Sequence, residues 1–295
     1  MRLVVSYGPG NVTDQVARIV IPVLSERWEQ QVVIENMPGA GGTIGARAVS
    51  RAVANGYTLV FSAISALATA PHFMAGLGYD PLVDFTPIVS VVTSRAFLTV
   101  HPSLPVTTFA ELVAHARARP ANDPLFYYST GNGTTLHINF EDLKRRFDFP
   151  AQHVPYRAAQ AGLTDQLAGR VHMAMDSVVV SMPHVREGRL RPIFFTGQRR
   201  HPARHDIPTM AEVMPGVRLV SAWLGILGPA GVPEPLVARI NADLRAVLRE
   251  PDVVARIDEI GFEIMDQSPS EFGAMLREDF GRMGRLVQEL GLTAD

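Results

Sequence analysis

A chain of 295 residues, 47% hydrophobic and 19% charged, with a formal net charge of -2, has the make-up of an ordinary globular protein with room for two domains. This balance supplies no basic field for nucleic acid and no basic patch for a membrane surface. Cysteine is absent, which removes disulfides, zinc–thiolate sites and cysteine nucleophiles together, and no apolar run reaches the roughly 18–20 residues that span a bilayer.

Met1-Arg2 leads straight into strand-like residues with no export signal before them. The chain is therefore expected either to be cytoplasmic or to begin after a removed export segment. Leu3 to Ser6 reads as a buried strand, Tyr7 to Asn11 as a glycine turn, and Val12 to Trp28 as a helix with Val16, Ile19, Val20, Val23 and Leu24 at helical spacing. Gln31 to Glu35 is a short strand, and Asn36 to Gly42 a second glycine-rich turn before a helix that ends near Asn55-Gly56. Tyr57 to Phe61 is the next strand and stops at Ser62-Ala63-Ile64-Ser65. Strand and helix alternate with short connections, the pattern of a parallel α/β sheet.

Ile88 to Val92 and Ala96 to Val100 read as two further strands. His101-Pro102-Ser103-Leu104-Pro105 then breaks regular structure, and the first inter-lobe crossover is placed there. A helix over Phe109 to Arg117 is followed by the most informative stretch, Leu125 to His137. An aromatic strand there stops at Ser129-Thr130-Gly131-Asn132-Gly133, and a helix begins at Thr134 or Thr135. His153 to Tyr156, Val171 to Asp176 and Leu190 to Thr196 read as strands, with helices over Ala158 to Leu167 and Val178 to Arg186. Val217 to Gly228 is extended, and helices follow from Leu236, over Pro251 to Ile260 and over Ser268 to Leu290. The fold class is α/β with two lobes, each a mainly parallel sheet flanked by helices. Residues 1–100 and 222–295 form one lobe and 101–221 the other, joined by two crossover segments in the topology of a hinge.

Strand, glycine turn and helix start aim backbone N–H groups and a positive dipole end at one point, which favours an anion. Two such turns occur, around Pro9, Gly10 and Asn11 and around Ser129, Thr130, Gly131 and Thr134. The second lacks the Gly-Lys-Ser/Thr ending of a phosphate loop, and the first carries a proline where a dinucleotide fingerprint needs pliable backbone. A carboxylate is left as the ligand, against the plainer reading of ordinary α/β turns. Tyr7 offers a ring face and a hydroxyl at the mouth of its turn, and Ser62 and Ser65 follow a strand as cleft-lining residues do. Asp14 stabilises the dipole of its helix. Asp176 ends a strand on the ligand side of the sheet and has two readings, an acceptor for a ligand amine or hydroxyl or a cap for the next helix. His137 has a packing or hydrogen-bonding role, and the histidines show no metal-ligand spacing. Ser129, His137 and Asp176 are the pieces of a hydrolase, but no Gly-x-Ser-x-Gly elbow occurs and no histidine is placed beside a given serine.

Across nearly its whole length the chain resembles the tripartite tricarboxylate transporter receptor family, the Bug family of periplasmic solute-binding proteins. The likeness rests on Tyr7 to Asp14 with Ala17-Arg18, Val33 to Gly45, Tyr79 to Pro87, Ser129 to His137, His153 to Arg157, Ile207 to Glu212 and Gly228 to Pro233. The resemblance implies a Venus-flytrap architecture, a carboxylate held by the two loops and bridging waters, export to the periplasm, and delivery to a membrane permease. It departs from the family at Asn11, usually a glycine, and at Thr43, usually an asparagine. The expected ligand set is Tyr7, Pro9, Gly10, Asn11, Asp14, Ser62, Ser65, Ser129, Thr130, Gly131, Thr134, Tyr156 and Asp176. The expected protein is a non-enzymatic monomer without cofactor or metal that binds a di- or tricarboxylate, an aromatic acid or an acidic amino acid. A ligand-loaded sensor and a serine hydrolase are the alternatives.

Overall fold

Short apolar strands joined to amphipathic helices build two compact units, Met1–Thr93 with Ala222–Asp295, and Ser94–Ser221. The computed structural model describes residues 1–72, 74–131, 134–156, 159–197, 199–201, 203–289 and 291. The first unit opens with β1 (Arg2–Val5), α1 (Val12–Arg27), β2 (Val33–Asn36), α2 (Thr43–Ser50), β3 (Thr58–Ala63) and β4 (Phe85–Ser94). The second contains β5 (Ala96–Val100), α3 (Phe109–Ala118), β6 (Leu125–Ser129), α4 (Thr135–Phe147), β7 (Ala151–Pro155) and α5 (Ala159–Leu167). It continues with β8 (Met173–Ser177), α6 (Val178–Arg186), β9 (Arg191–Phe195) and α7 (Met210–Val213). The chain then returns to the first unit with β10 (Trp223–Pro229), α8 (Glu234–Leu248), α9 (Pro251–Glu259), β11 (Phe262–Ile264) and α10 (Pro269–Glu289).

The first unit's sheet runs β11-β4-β10-β3-β1-β2. β1 pairs in parallel with β2 and β3, whereas β10 pairs antiparallel with both β3 and β4. Strand alternation sends Leu3, Val5, Leu59 and Phe61 to one face, where α1, α8 and α9 supply Val16, Val20, Leu24, Ile240, Leu244 and Ile257 to a single core. On the other face Gly45 of α2 lies so close to β1 that a Cβ there would come within 3.0 Å of Ser6 Cα. Gly225 is registered against both Ser62 and Ser90, and the Phe272 ring of α10 fills the space over it. Trp223 meets the same ring edge to face at 5.3 Å and donates its indole N–H to Asp279 at 2.7 Å.

The second unit's sheet runs β7-β6-β8-β5-β9, with β6 parallel to β7 and β8, and β5 antiparallel to β8 and β9. Alternate residues again separate two cores. Leu98, Val100, Tyr127, Met173 and Met175 join Leu112, Phe140 and Leu143 on one face, and Phe97, Tyr128, Ala174 and Phe195 join Leu163, Val178 and Met182 on the other.

Both units are α/β, and both sheets are mixed, because each takes an antiparallel strand, β10 or β5, into its interior. The strand Ala96–Val100, assigned from sequence to the first lobe, hydrogen-bonds within the second sheet. The chain passes between the units at Thr93–Ser94, which has no proline or glycine to mark it. The proline-rich segment after Val100 is instead a turn inside the second unit, where the His101 N–H donates to His172 O at 2.8 Å. Strand β11 escaped the sequence reading, and of the extended stretch from Val217 only Trp223 onward is strand. Ala158 and Leu290, named as helix ends, lie outside the described residues. Among the described residues no helix is long and apolar enough to cross a membrane.

Candidate functional site

The turn between β1 and α1 is organised by Asp14. Its buried carboxylate accepts the Gly10 N–H at 2.9 Å, the Arg18 guanidinium at 2.8 Å and the Asn36 amide at 2.9 Å. Burial opposes its charge, but Arg18, the Gly10 N–H and Asn36 together outweigh burial and hold the carboxyl below its ordinary range. Gly10, at φ +80°, adopts a conformation that side chains disfavour, which lets its N–H turn back onto Asp14. Asn11 caps α1, its side-chain oxygen accepting the Thr13 N–H at 3.0 Å, while its own N–H donates to Gly8 O at 3.2 Å. Pro9 is exposed. The Tyr7 hydroxyl lies 2.5 Å from Ser65 Oγ and donates to Gly41 O at 3.0 Å, so it ties together three segments of the unit. Burial raises its pKa, and the Ser65 contact opposes that rise. Ser62 is not in this group: it is fully buried in β3, and its hydroxyl, like that of Ser6, has no hydrogen-bond partner among the described residues.

The turn between β6 and α4 is organised by Ser129. Its hydroxyl lies 3.0 Å from Gly131 O and accepts the Gly131 N–H at 3.2 Å. Thr134 caps α4, accepting the His137 N–H, and donates its hydroxyl to Gly131 O at 2.9 Å. Tyr156 donates its N–H to Ser129 O at 3.0 Å, but its hydroxyl donates to Asp165 at 2.7 Å. Thr130 is half-buried; Asn132 and Gly133 lie outside the described residues. Asp176 does not cap α6, whose cap is Ser177; it accepts the Tyr128 hydroxyl, and burial raises its pKa to about 7.

Both turns therefore differ from the sequence expectation in one respect. The N–H groups of Gly10, Asn11 and Gly131, nominated as ligand donors, are spent inside their own turns. Among the described residues, the N–H groups without a partner are one step further on, at Val12 and Asp14 of α1 and at Thr135 and Leu136 of α4. These belong to helices of 16 and 13 residues, and each pair lies at the positive end of its dipole.

Sequence reading missed His153, whose Nε2 lies 2.7 Å from Ser129 Oγ. A strand-pairing signal could have found it, because β6 and β7 register Tyr127 with His153 and put Ser129 two residues on, on the same face. His137, the histidine nominated with Ser129, stacks instead on the His153 ring at 4.1 Å. Burial depresses the His153 pKa to about 4, so the ring is neutral near pH 7, and Asp176 is engaged with Tyr128. This is not the serine, base and carboxylate order of a hydrolase. Among the described residues no group of three or more His, Asp or Glu side chains could hold a metal. A hollow of about 870 Å³ in the second unit, walled by Phe109, Val113, Phe147, Ile193 and Met214, contains none of the nominated ligand residues.

Comparison with known proteins gives a consistent result. Residues 16–292 match the family model described as the tripartite tricarboxylate transporter family receptor. A UPF0065 protein from a tcbD-tcbE intergenic region of Pseudomonas sp. (strain P51) is 31% identical over 294 residues, covering 99% of this chain and 86% of that protein. Among solved structures, an R. palustris protein with adipate superposes with a TM-score of 0.76 at 32% identity, covering 99% of this chain and 97% of the other. MatC from Rhodopseudomonas palustris with bound malate gives 0.72 at 28%, covering 97% and 98%.

Proposed function

The chain belongs to the tripartite tricarboxylate transporter receptor family, and from that premise we propose that it is a periplasmic binding protein for a small di- or tricarboxylate. The glycine turn of each unit offers a site for a ligand carboxylate, with Tyr7 and Ser65 near the first turn and Thr130 and Thr134 in the second. The observation that carries this reading is the pair of helix starts, each with two first-turn N–H groups and no described partner for them. The relatives solved with adipate and malate support the ligand class. The loaded protein delivers its ligand, as a monomer and without catalysis, to the membrane permease of a tripartite transporter.

A thermal-shift series over adipate, malate, citrate, benzoate and glutamate tests the reading. A ligand at a hundred times its Kd should stabilise by about 2.7 kcal/mol, raising Tm by roughly 4–5 °C in a chain of 295 residues. Failure of every carboxylate to move Tm would overturn it.

Asn11 gives a narrower expectation. Glycine is nearly as good an N-cap, so Asn11→Gly should cost only a few tenths of a kcal/mol of unliganded stability. Its exposed side chain stands beside the Val12 N–H, so the same change should shift carboxylate affinity or preference, read by calorimetric titration. Unchanged binding together with lost folding would reduce Asn11 to a turn residue.

A further inference from the structure

One buried side-chain cluster is left unused by the reading above. His137, Phe140, Glu141 and Lys144 recur at spacings of three and four along α4 and form one stripe of that helix. The rings of β6 and β7 stack onto this stripe. His153 lies between His137, at 4.1 Å and 21°, and Tyr127, at 5.0 Å and 26°, and Tyr127 in turn stacks on Phe140 at 4.1 Å and 8°. The Tyr127 hydroxyl donates to Glu141, Lys144 binds the same carboxylate at 2.7 Å, and its ammonium stands 5.6 Å from the Tyr127 ring centre. The ring of His153 thus stacks with both His137 and Tyr127, and its Nε2 edge meets Ser129 Oγ.

Hydrogen-bond capacity limits what this edge can do. Ser129 has one hydroxyl proton and two lone pairs. The proton goes to Gly131 O at 3.0 Å, and one lone pair takes the Gly131 N–H at 3.2 Å. The remaining lone pair faces His153 Nε2 at 2.7 Å and Thr134 Oγ1 at 3.5 Å; Thr134 also donates to Gly131 O at 2.9 Å, so the His153 contact can run in either direction, and only with a proton on Nε2 does Ser129 keep its own proton for Gly131 O. Resting on the carboxylate-binding reading above, we propose that His153 is a positioning residue for the anion-binding turn: by donating to Ser129 Oγ it holds Gly131 at both its N–H and its C=O. Gly131 then stays closed on its own turn, and the first-turn N–H groups of Thr135 and Leu136, which have no partner among the described residues, are left for the anion. His153 touches no ligand itself and acts through Ser129.

Three variants test this, with adipate as the probe. His153→Leu keeps an apolar side chain in the stack but has no donor, and should weaken adipate binding about tenfold. His153→Gln returns an amide N–H near the Nε2 position and should recover binding to within about threefold of wild type. Ser129→Ala should match His153→Leu, and the double variant should lose little more, since both remove one contact. Two readouts need no ligand. Nitrogen-15 NMR of the unliganded protein should find His153 protonated on Nε2, and hydrogen exchange at the Gly131 amide should be slow in wild type and His153→Gln but fast in His153→Leu. Wild-type adipate affinity in His153→Leu, failure of His153→Gln to recover, or a proton on Nδ1 would each overturn the proposal. If wild type binds no carboxylate while the two ligand-free readouts hold, the carboxylate reading fails and the positioning role stands.

Discussion

Asp176→Asn should stabilise the protein by about 2 kcal/mol at pH 8, and by progressively less as the pH is lowered toward 4. The carboxyl is 3% exposed, and burial raises its pKa from 3.8 to about 7. Between those values the unfolded chain has released a proton that the folded chain retains, so stability falls as pH rises and stays low above pH 7. A shift of about three units corresponds to roughly 4 kcal/mol; the amide N–H groups that asparagine brings into this buried position cost about 1–3 kcal/mol if left without acceptors and so offset about half of the gain. Asparagine carries no charge to desolvate and keeps an oxygen for Tyr128. His153 works in the opposite sense: with its pKa lowered to about 4, its contribution is lost as pH falls from about 6.5. The two partly cancel in wild type, so the asparagine variant should show a steeper acid-side loss. Urea unfolding at several pH values measures both effects, and a gain independent of pH would refute the account of Asp176.

Gly225→Ala should cost about 3 kcal/mol. A Cβ at Gly225 would come within 2.3 Å of the fully buried Phe272 ring, which is itself packed against Trp223. The methyl cannot be relieved by a flexible chain end, and overpacking of this kind costs about 1–3 kcal/mol or more. Phe272→Leu alone should lose about 2 kcal/mol to a cavity. The double variant should be more stable than the sum of the two losses predicts, because the smaller side chain makes the room that the methyl needs. Additive losses in denaturant unfolding would mean that the ring and the glycine are not in conflict.

The α/β class, nearly every element and the helix starts after both glycine turns were legible, because hydrophobic period and turn chemistry are local. Long-range pairing was not. Whether Ala96–Val100 adds to the first sheet or the second depends on partners more than seventy residues away at β8 and β9, and the crossover at Thr93–Ser94 is marked by no breaker. The two turns were found from glycine and proline, yet the fate of their N–H groups was hidden. Asp14 and Ser129 bend back onto Gly10 and Gly131, a choice that spacing alone does not reveal. His153 was invisible for a related reason: its tie to Ser129 exists only once β6 and β7 are in register.

The insertion of β10 between β3 and β4 also sets an order in time. A chain emerging N-terminus first completes β4 near residue 94 but must wait until about residue 229 for the strand that joins it to β3. The second unit, contiguous from Ser94 to Ser221, can fold during that wait. Throughout, the inner edges of β3 and β4 carry unpaired N–H and C=O groups, the kind of edge that recruits strands from other chains.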